Sequence, residues 1–299
     1  MRFHRALYSV ACAAALVFAP VQAGSRSPID WEAVGRALGK AGTMQPGDVY
    51  KVGLPRGDLQ VTIGAVTIKP ALALGSWVAF KATGPDRAMA MGDLVLLDAE
   101  AGPVTAALQE GGIEQTAIHN HLLNESPHIV YMHFRGQGNP ITVATAIHGA
   151  LVLTGTPLGV PAAATNPPAA LDLDSAQVAR ALGRSGKVNA GVYQVSIARA
   201  ETITAHGMEV PPAMGVATAI NFQPVGGGRA AVAGDFVLVA AEVNPVIQAL
   251  RQSGIMVTAL HSHMLDESPR LLFMHFWAVD DAVKLAAGLR AALDKANVT

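Results

Sequence analysis

Hydrophobic and polar positions follow the same order in both halves of the chain. Each half opens with a short amphipathic segment behind an aspartate that can cap a helix, Asp30 in the first and Asp174 in the second. Runs with the two-residue alternation of strands follow, such as "LQVTIGAVTIKP" and "SWVAFKAT" in the first half. The pattern therefore predicts a helix and then a β-rich segment in each half.

The C-terminal part of each half has the pattern strand, helix, two strands, helix. In the second half "DFVLVAA" is an apolar strand, and "NPVIQALRQSG" is a helix that we expect to begin at Asn244, with Pro245 in its first turn. The strands "IMVTALHSH" and "RLLFMHFWA" come next, before the amphipathic helix "DDAVKLAAGLRAALDKA". This β-α-β-β-α order is that of a ferredoxin-like unit without its last strand. We predict an α+β fold in which helices cover one face of a mostly antiparallel sheet.

The two halves are copies of one unit. "GDLVLLDAE" at 92–100 matches "GDFVLVAAE" at 234–242, and the offset drifts only from 144 residues (34 to 178) to 142 residues (92 to 234). Between the copies, 155–172 is rich in Pro, Gly and Ala without an apolar period, which indicates a linker. We predict repeat unit 1 at 24–154 and repeat unit 2 at 173–299, paired about a pseudo-twofold axis.

The amino terminus has the features of a secretory signal peptide. Arg2 and Arg5 give it a basic start, an apolar run covers 6–19, and small residues precede Ala23. We expect cleavage after Ala23, which would remove segment 1–23 and leave a periplasmic or secreted protein. No later apolar run has the length of about 18 residues that a membrane span requires.

Composition narrows the chemistry that the mature chain can perform. The only cysteine, Cys12, lies within the signal peptide, and Ser9-Val10-Ala11 is a poor lead-in for lipidation, so we do not expect a lipid anchor. Without a thiol, metal ligands must be nitrogen or oxygen atoms. The formal net charge is −1 and no cluster of Lys and Arg stands out. This argues against nucleic-acid binding and favours a metal ion or small molecule as partner.

Two stretches share one spacing of histidine and glutamate. Residues 119–133 are "HNHLLNESPHIVYMH" and residues 261–275 are "HSHMLDESPRLLFMH", so H-x-H-x₃-E-S-P-x₅-H occurs twice and contains six of the ten histidines. In a strand, side chains at i and i+2 point to the same face. The two histidines of each H-x-H can therefore converge on one ion, and the next strand can supply a third. The candidate metal ligands are His119, His121, His133, His261, His263 and His275.

A glutamate lies in the connection of each hairpin. Glu125 and Glu267 are close enough in sequence to act as a fourth ligand, a general base or a partner of a ligand. Three nitrogen atoms and one oxygen suit zinc, our first expectation, and also copper, iron, manganese or nickel. Whether His133 and His275 reach the same face as their partners depends on the strand register, which the spacing leaves open.

Other polar residues favour structural interpretations. His128, His148 and His206 have no histidine counterpart in the other copy, so we interpret them as solvated or turn residues. Asp93 and Asp235 each follow a glycine at the expected start of a strand, and we interpret both as turn residues. On this interpretation no second acid is matched between the copies near the motif.

The tandem unit, the H-x-H-x₃-E-S-P hairpin and the signal-like amino terminus resemble the LppY/LpqO group of exported bacterial proteins and lipoproteins. The repeat of that group is a domain of unknown function. The resemblance covers nearly the whole mature chain and implies no particular catalytic residues.

Three functions remain compatible with the sequence. The first is an exported protein that binds a transition metal through the two hairpins. The second is a metal-dependent enzyme of hydrolase type, in which Glu125 or Glu267 serves as general base. The third is a module that binds a small molecule or protein without metal, in which the histidines are structural. The substrate, the metal and the number of sites stay open at this level.

Overall fold

The structure is a computed structural model that describes residues 29–159 and 170–299. The predicted signal peptide, 1–23, and residues 160–169 of the predicted linker lie outside the described residues. Within these two ranges, no helix combines the length and apolar character needed to cross a bilayer.

Helices and strands recur in the same order in the two repeats. Those of repeat unit 1 are α1 (Trp31–Leu38), β1 (Thr43–Gln45), β2 (Val49–Pro55), β3 (Thr62–Ile63), β4 (Val66–Thr67), α2 (Pro70–Ala73), β5 (Gly75–Gly84), β6 (Arg87–Leu97), α3 (Asp98–Glu110), β7 (Glu114–His119), β8 (Glu125–Ser126), β9 (Ile129–Gly138) and α4 (Pro140–Leu151). Those of repeat unit 2 are α5 (Ser175–Leu182), β10 (Lys187–Asn189), β11 (Val192–Ala198), β12 (Thr204–Ala205), β13 (Met208–Glu209), a 3₁₀ turn (Pro212–Met214), β14 (Ala217–Gly226), β15 (Arg229–Leu238), α6 (Ala240–Gln252), β16 (Met256–His261), β17 (Glu267–Ser268), β18 (Leu272–Asp281) and α7 (Ala282–Leu293).

Each repeat forms a six-stranded sheet. The strand order is β1-β2-β5-β6-β9-β7 in the first and β10-β11-β14-β15-β18-β16 in the second. Strand β9 pairs antiparallel with both β6 and β7, so β6 and β7 run parallel with β9 between them. This is the split β-α-β arrangement of a ferredoxin-like unit. The predicted α+β fold in two tandem homologous units is confirmed.

The helix after the fourth sheet strand starts earlier than predicted. Helix α6 begins at Ala240, and the carboxylate of Glu242 accepts a hydrogen bond from the backbone N–H of Val239 at 2.9 Å. This contact satisfies a backbone N–H group at the helix start, so the helix follows the strand directly. The predicted start at Asn244 is therefore wrong, and Pro245 lies inside the helix.

The two faces of each sheet are buried in different ways. One face packs against the helices of its own repeat. In the first repeat, Leu108 of α3 and Ile147 of α4 belong to the core that this face forms with the helices. The opposite faces of the two sheets pack against each other, because Met91 and Phe273 share one core and Tyr131 and Trp277 share another. The layers are helix, sheet, sheet, helix, and each sheet buries the apolar face that its own helices leave uncovered.

A buried arginine ties sheet to helix at equivalent places in the two repeats. Arg56 is fully buried and donates to the carbonyl of Val95 at 2.6 Å and to the carboxylate of Glu100 at 2.7 Å. Arg199 makes the same pair of contacts with Val237 and Glu242, both at 2.7 Å. A second carboxylate also accepts from each guanidinium at 2.9 Å, that of Asp58 for Arg56 and that of Glu201 for Arg199. Removing Glu100 would leave the buried Arg56 with one of its two carboxylate partners, which is destabilising.

We expect Glu100→Gln to lower the free energy of unfolding by about 2 kcal/mol, measured by urea denaturation at neutral pH, because Arg56 loses its charge-assisted hydrogen bonds to Glu100 and keeps those to Asp58. Burial alone would raise the pKa of Glu100, but hydrogen bonds from Arg56, Leu97 and Gly155 lower it below its ordinary value of 4.5. The stabilisation is therefore complete above about pH 4.5 and is lost as the pH falls through the folded-state pKa.

Glu110→Gln is the matched control, because Glu110 is an exposed glutamate on the same helix. Its expected effect is within about 0.5 kcal/mol. Equal effects of the two substitutions would contradict a stabilising role for the buried pair.

Candidate metal centre

The strand register places the last histidine of each motif on the same face as the first. His133 on β9 lies opposite Ala117 on β7, which is two residues from His119, after a bulge between Gln115 and Ala117. Residues two apart on a strand share a face. The ring centroids of His119 and His133 are consequently 5.0 Å apart.

The second repeat has the same geometry. His275 lies opposite Ala259, and its ring centroid is 4.9 Å from that of His261. His121 and His263 lie two residues beyond the ends of β7 and β16, and the ring centroid of each is within 4.9 Å of that of the first histidine of its own motif. Each predicted triplet is therefore brought together.

The two triplets meet between the sheets. Each histidine ring stacks on a ring of the other repeat, with centroid distances of 3.6 Å for His119 and His261, 3.7 Å for His121 and His275, and 3.6 Å for His133 and His263. Exchange of the repeats reproduces this set of pairs, as a pseudo-twofold axis would require. We call these six residues the histidine cluster.

Donor atoms within the cluster form two groups compact enough to hold a metal ion. The first group contains His119, His121, His133 and His263, and the second contains His119, His261, His263 and His275. Within each group all donor atoms lie within 4.8 Å of one another. The first group includes the whole triplet of repeat unit 1 and the second the whole triplet of repeat unit 2. The cluster can therefore offer three nitrogen ligands to each of two ions, or four to one.

Hydrogen bonds fix which ring nitrogen carries the proton. The Nδ1 atom of His275 lies 3.0 Å from the carbonyl oxygen of Gly234, and longer contacts of 3.4 and 3.3 Å join Nδ1 of His119 and His261 to the carbonyls of Asn120 and Ser262. A carbonyl oxygen only accepts, so Nδ1 is the protonated atom in these contacts. The free lone pair of each of these rings is consequently on Nε2. A histidine whose Nδ1–H is held by a carbonyl in this way can bind a metal through Nε2.

The Nε2 atoms of all six histidines are buried and have no hydrogen-bond partner among the described residues. Leaving a buried polar atom without a partner costs about 1–3 kcal/mol. A metal ion coordinated by several imidazoles would remove that cost at each bound atom. The donor set therefore fits a transition metal that prefers nitrogen ligands.

Burial also keeps the cluster neutral. It lowers the pKa of His119 to about 3 and of His261 to about 4, from an ordinary value of 6.5. For His121, His133, His263 and His275, burial and then repulsion from the neighbouring rings lower the pKa well below 6.5. Neutral imidazoles are ready to coordinate a metal at neutral pH.

Two aspartates adjoin the cluster, and the sequence interpretation of both was wrong. Asp93 and Asp235 are not turn residues, because they lie in the middle of β6 and β15, directly opposite His133 and His275. Their Oδ1 atoms are 3.7 Å from Nε2 of His133 and 3.9 Å from Nδ1 of His275. Both Oδ1 atoms are buried without a hydrogen-bond partner in the described ranges. The sequence does contain a signal for these two residues, because an aspartate occurs at the same place in the matched apolar strands "GDLVLL" and "GDFVLV".

The glycine before Asp93 has a packing role. A Cβ atom at Gly92 would overlap the ring of Phe134, so the glycine allows close packing rather than a turn.

Burial raises the pKa of Asp93 to about 8, although the charge of Lys51 opposes the rise. Burial, and then repulsion from Asp93, raises the pKa of Asp235 well above its ordinary value. A cation in the cluster would favour the ionised form of both carboxylates.

The two motif glutamates support the hairpins instead of joining the donor groups. Glu267 accepts hydrogen bonds from the backbone N–H of Leu271 at 2.8 Å and from Arg270 at 3.1 Å. Glu125 makes the equivalent, longer contact of 3.5 Å with the N–H of Ile129. Neither glutamate is a member of the two donor groups.

The three remaining histidines of the described ranges also lie outside the donor groups. His128 contacts Asp98 at 2.7 Å, and His206 contacts Asp266 at 2.7 Å. His148 lies with Nδ1 3.0 Å from the carbonyl of Leu38. Each of these three rings therefore has a polar partner outside the cluster.

Comparison with known families identifies the repeat. A family model described as Domain of Unknown Function (DUF1259) matches residues 32–152 and again 176–295. The chain belongs to this DUF1259 family. Both matched segments lie within the two predicted repeat units, and each includes one complete histidine motif.

Other comparisons add no functional information about the DUF1259 repeats. No curated protein sequence matches the chain significantly. Among solved structures, the trimeric bacterial microcompartment shell protein PduB matches with a TM-score of 0.21 and 13% identity, over 86% of this chain and 90% of its own. EtuB from Clostridium kluyveri matches with a TM-score of 0.19 and 11% identity, over 84% and 90%. Both scores are too low to indicate a shared fold.

A cavity of about 160 Å³ lies beside the cluster. A smaller space of about 10 Å³, lined by His133 and His263, adjoins it, because Met91, Thr116 and Met264 line both. The smaller space, which touches two cluster histidines, therefore adjoins the cavity on one side of the cluster.

We expect the metal-free protein to lose stability as the pH falls from about 6.5 towards 4. The folded-state pKa values of the six cluster histidines are depressed, so in this interval the unfolded chain binds protons on them that the folded chain does not. The raised pKa values of Asp93 and Asp235 act in the opposite direction, but two carboxylates offset only part of the effect of six histidines. Each such histidine contributes about 1.4 kcal/mol per pH unit. Urea denaturation in the presence of a chelator, repeated across this pH interval, measures the slope.

The double variant His119→Gln/His261→Gln should show a shallower slope, because two buried histidines no longer titrate on unfolding. Gln109→Ala is the control, since Gln109 is an exposed residue that does not titrate and its replacement should leave the slope unchanged. Identical slopes for the wild type and the double variant would contradict buried neutral histidines.

Proposed function

We propose that the protein binds two divalent transition metal ions in the histidine cluster, one held mainly by the triplet of each repeat. The observation that carries this proposal is the convergence of six buried Nε2 atoms that have no hydrogen-bond partner in the described ranges. Asp93 and Asp235 add two carboxylates at the edge of the cluster, which would balance the charge of the ions.

Nitrogen-rich donors favour the later first-row metals. We propose zinc, with copper as the nearest competitor and iron or manganese as weaker ones, because imidazole suits zinc and copper while manganese prefers oxygen ligands. Three histidines per ion would leave a coordination position open on each.

We further propose that the chain is exported after cleavage near Ala23 and is a member of the LppY/LpqO group. The basic and apolar pattern of segment 1–23 supports export. The tandem DUF1259 repeats support the coarser family assignment, and the LppY/LpqO membership rests on the motif resemblance.

A metal-dependent enzyme is the second candidate function. The cavity beside the cluster favours it, because a substrate there would lie next to an open coordination position. Glu125 and Glu267 are already hydrogen-bonded within their hairpins, so we assign the proposed acid-base role to the aspartates beside the ring nitrogens instead.

Metal content tests the binding proposal. Purified protein reconstituted with zinc should contain about two equivalents by elemental analysis after gel filtration. His119→Ala/His261→Ala should contain less than half of that amount, because the substitution removes one ligand from each triplet and one of the two histidines that the donor groups share.

His128→Ala/His206→Ala is the matched control, because it also removes two histidines but neither belongs to a donor group. It should retain the wild-type metal content. Wild-type protein that holds no zinc, copper, iron or manganese after reconstitution would refute the proposal and leave the metal-free binding module.

A further inference from the structure

The two sides of the histidine cluster have diverged, although the cluster itself has not. On one side, Met91, Arg135 and Met264 line the cavity of about 160 Å³. Their counterparts on the other side, by the repeat alignment, are Ala233, Trp277 and Leu122. These three residues pack together in one apolar core, and Trp277 is only 7% exposed.

A hydrogen bond adds to the closure of the Trp277 side. The hydroxyl of Thr258 donates to the carbonyl oxygen of His121 in the other repeat at 2.5 Å. Its counterpart Thr116 lines the cavity instead. The duplicated fold therefore has one closed side, filled by an indole ring, and one open side next to the same metal ligands.

Arg135 gives the open side a specific chemistry. Its Nε and Nη2 atoms donate to Oε2 of Glu114, at 3.2 and 2.5 Å, and its Nη1 atom is buried without a hydrogen-bond partner among the described residues. A buried guanidinium donor is best satisfied by a carboxylate or another oxyanion. The acid that lines the cavity, Asp266, is already paired with His206 at 2.7 Å.

The position of Arg135 connects this donor to the cluster. Arg135 and His133 are two residues apart on β9, so their side chains share the face that looks towards the other repeat. Two residues of strand span about 7 Å. An anion bound by Arg135 would thus lie within the length of a small molecule from a metal ion bound at His133.

The rest of the cavity is mainly apolar, and its size is modest. Met91, Ala205, Met264 and Leu265 supply the apolar lining, and Leu265 is 63% exposed, so the cavity reaches the protein surface. A dry cavity of about 150 Å³ is large enough for benzene. The lining therefore suits a compact apolar body that carries one anionic group.

We propose that this cavity binds a small organic carboxylate, whose anionic group is held by Arg135 beside the proposed metal site. This inference rests on the proposed function, because the carboxylate would be bound next to the proposed metal site. Trp277 prevents the equivalent site from forming in the other half of the pseudo-symmetric pair.

Calorimetric titration of the zinc-reconstituted protein with benzoate, and with benzamide as its neutral counterpart, tests the proposal. Benzoate should bind more tightly than benzamide. Arg135→Met should weaken benzoate binding by at least about tenfold and remove the preference, because a charge-assisted hydrogen bond is lost. Arg87→Met, which removes an exposed arginine of the same repeat, should bind benzoate as the wild type does.

A second variant uses the residue that closes the other side. Arg135→Trp should fill the cavity and abolish binding of both probes, while the zinc content stays at the wild-type level. Zinc content is measured for every variant, so the two proposals can fail separately. Wild-type protein that holds no zinc, copper, iron or manganese after reconstitution refutes the metal proposal. Zinc-containing wild-type protein that ignores benzoate, or Arg135→Met protein that binds benzoate as tightly as the wild type, overturns the carboxylate site.

Discussion

The packing of two sheets face to face is the interaction on which the other features of the molecule depend. Each sheet has an apolar face that its own helices do not cover, and exposing a surface of that size to water would be costly. Pairing the repeats buries both faces at once, as the mixed cores around Phe273 and Tyr131 show. The same packing brings the β7–β9 and β16–β18 hairpins together and places their histidines where water is largely excluded.

Burial of the histidines explains both their electrostatics and their proposed role. A solvated imidazole would be partly protonated near pH 6.5 and would hydrogen-bond water. Between the sheets, each ring instead stacks on an imidazole of the other repeat, and its Nε2 atom has no hydrogen-bond partner among the described residues. Asp93 and Asp235 also lie in an environment that disfavours their charged form. Burial raises the pKa of both carboxyl groups, and repulsion from Asp93 adds to the rise for Asp235. Cations bound among these groups would coordinate the Nε2 atoms and stabilise the ionised carboxylates.

Duplication explains why the centre is symmetric and its surroundings are not. The histidines, the adjacent aspartates and the Arg56 and Arg199 pairs are retained in both repeats, and all of them depend on the shared fold. Residues around the centre are free to diverge, because either side can be filled or left open without moving a ligand. Trp277 fills one side, and Arg135 leaves the other accessible.

The sequence by itself determined the repeat, the α+β order of elements and the six histidines, because hydrophobic periodicity and self-similarity act over short distances and are visible along the chain. It misjudged Asp93 and Asp235, since a Gly-Asp pair is typical of turns and only strand pairing reveals that each acid faces a histidine. The start of helix α6 was misplaced for a similar reason, because Glu242 stabilises an earlier turn than Asn244 would. Only the tertiary structure decided that the two triplets form one cluster. Contacts such as that between His119 and His261 depend on how two sheets pack, and no local pattern encodes the packing of surfaces 142 residues apart in the chain.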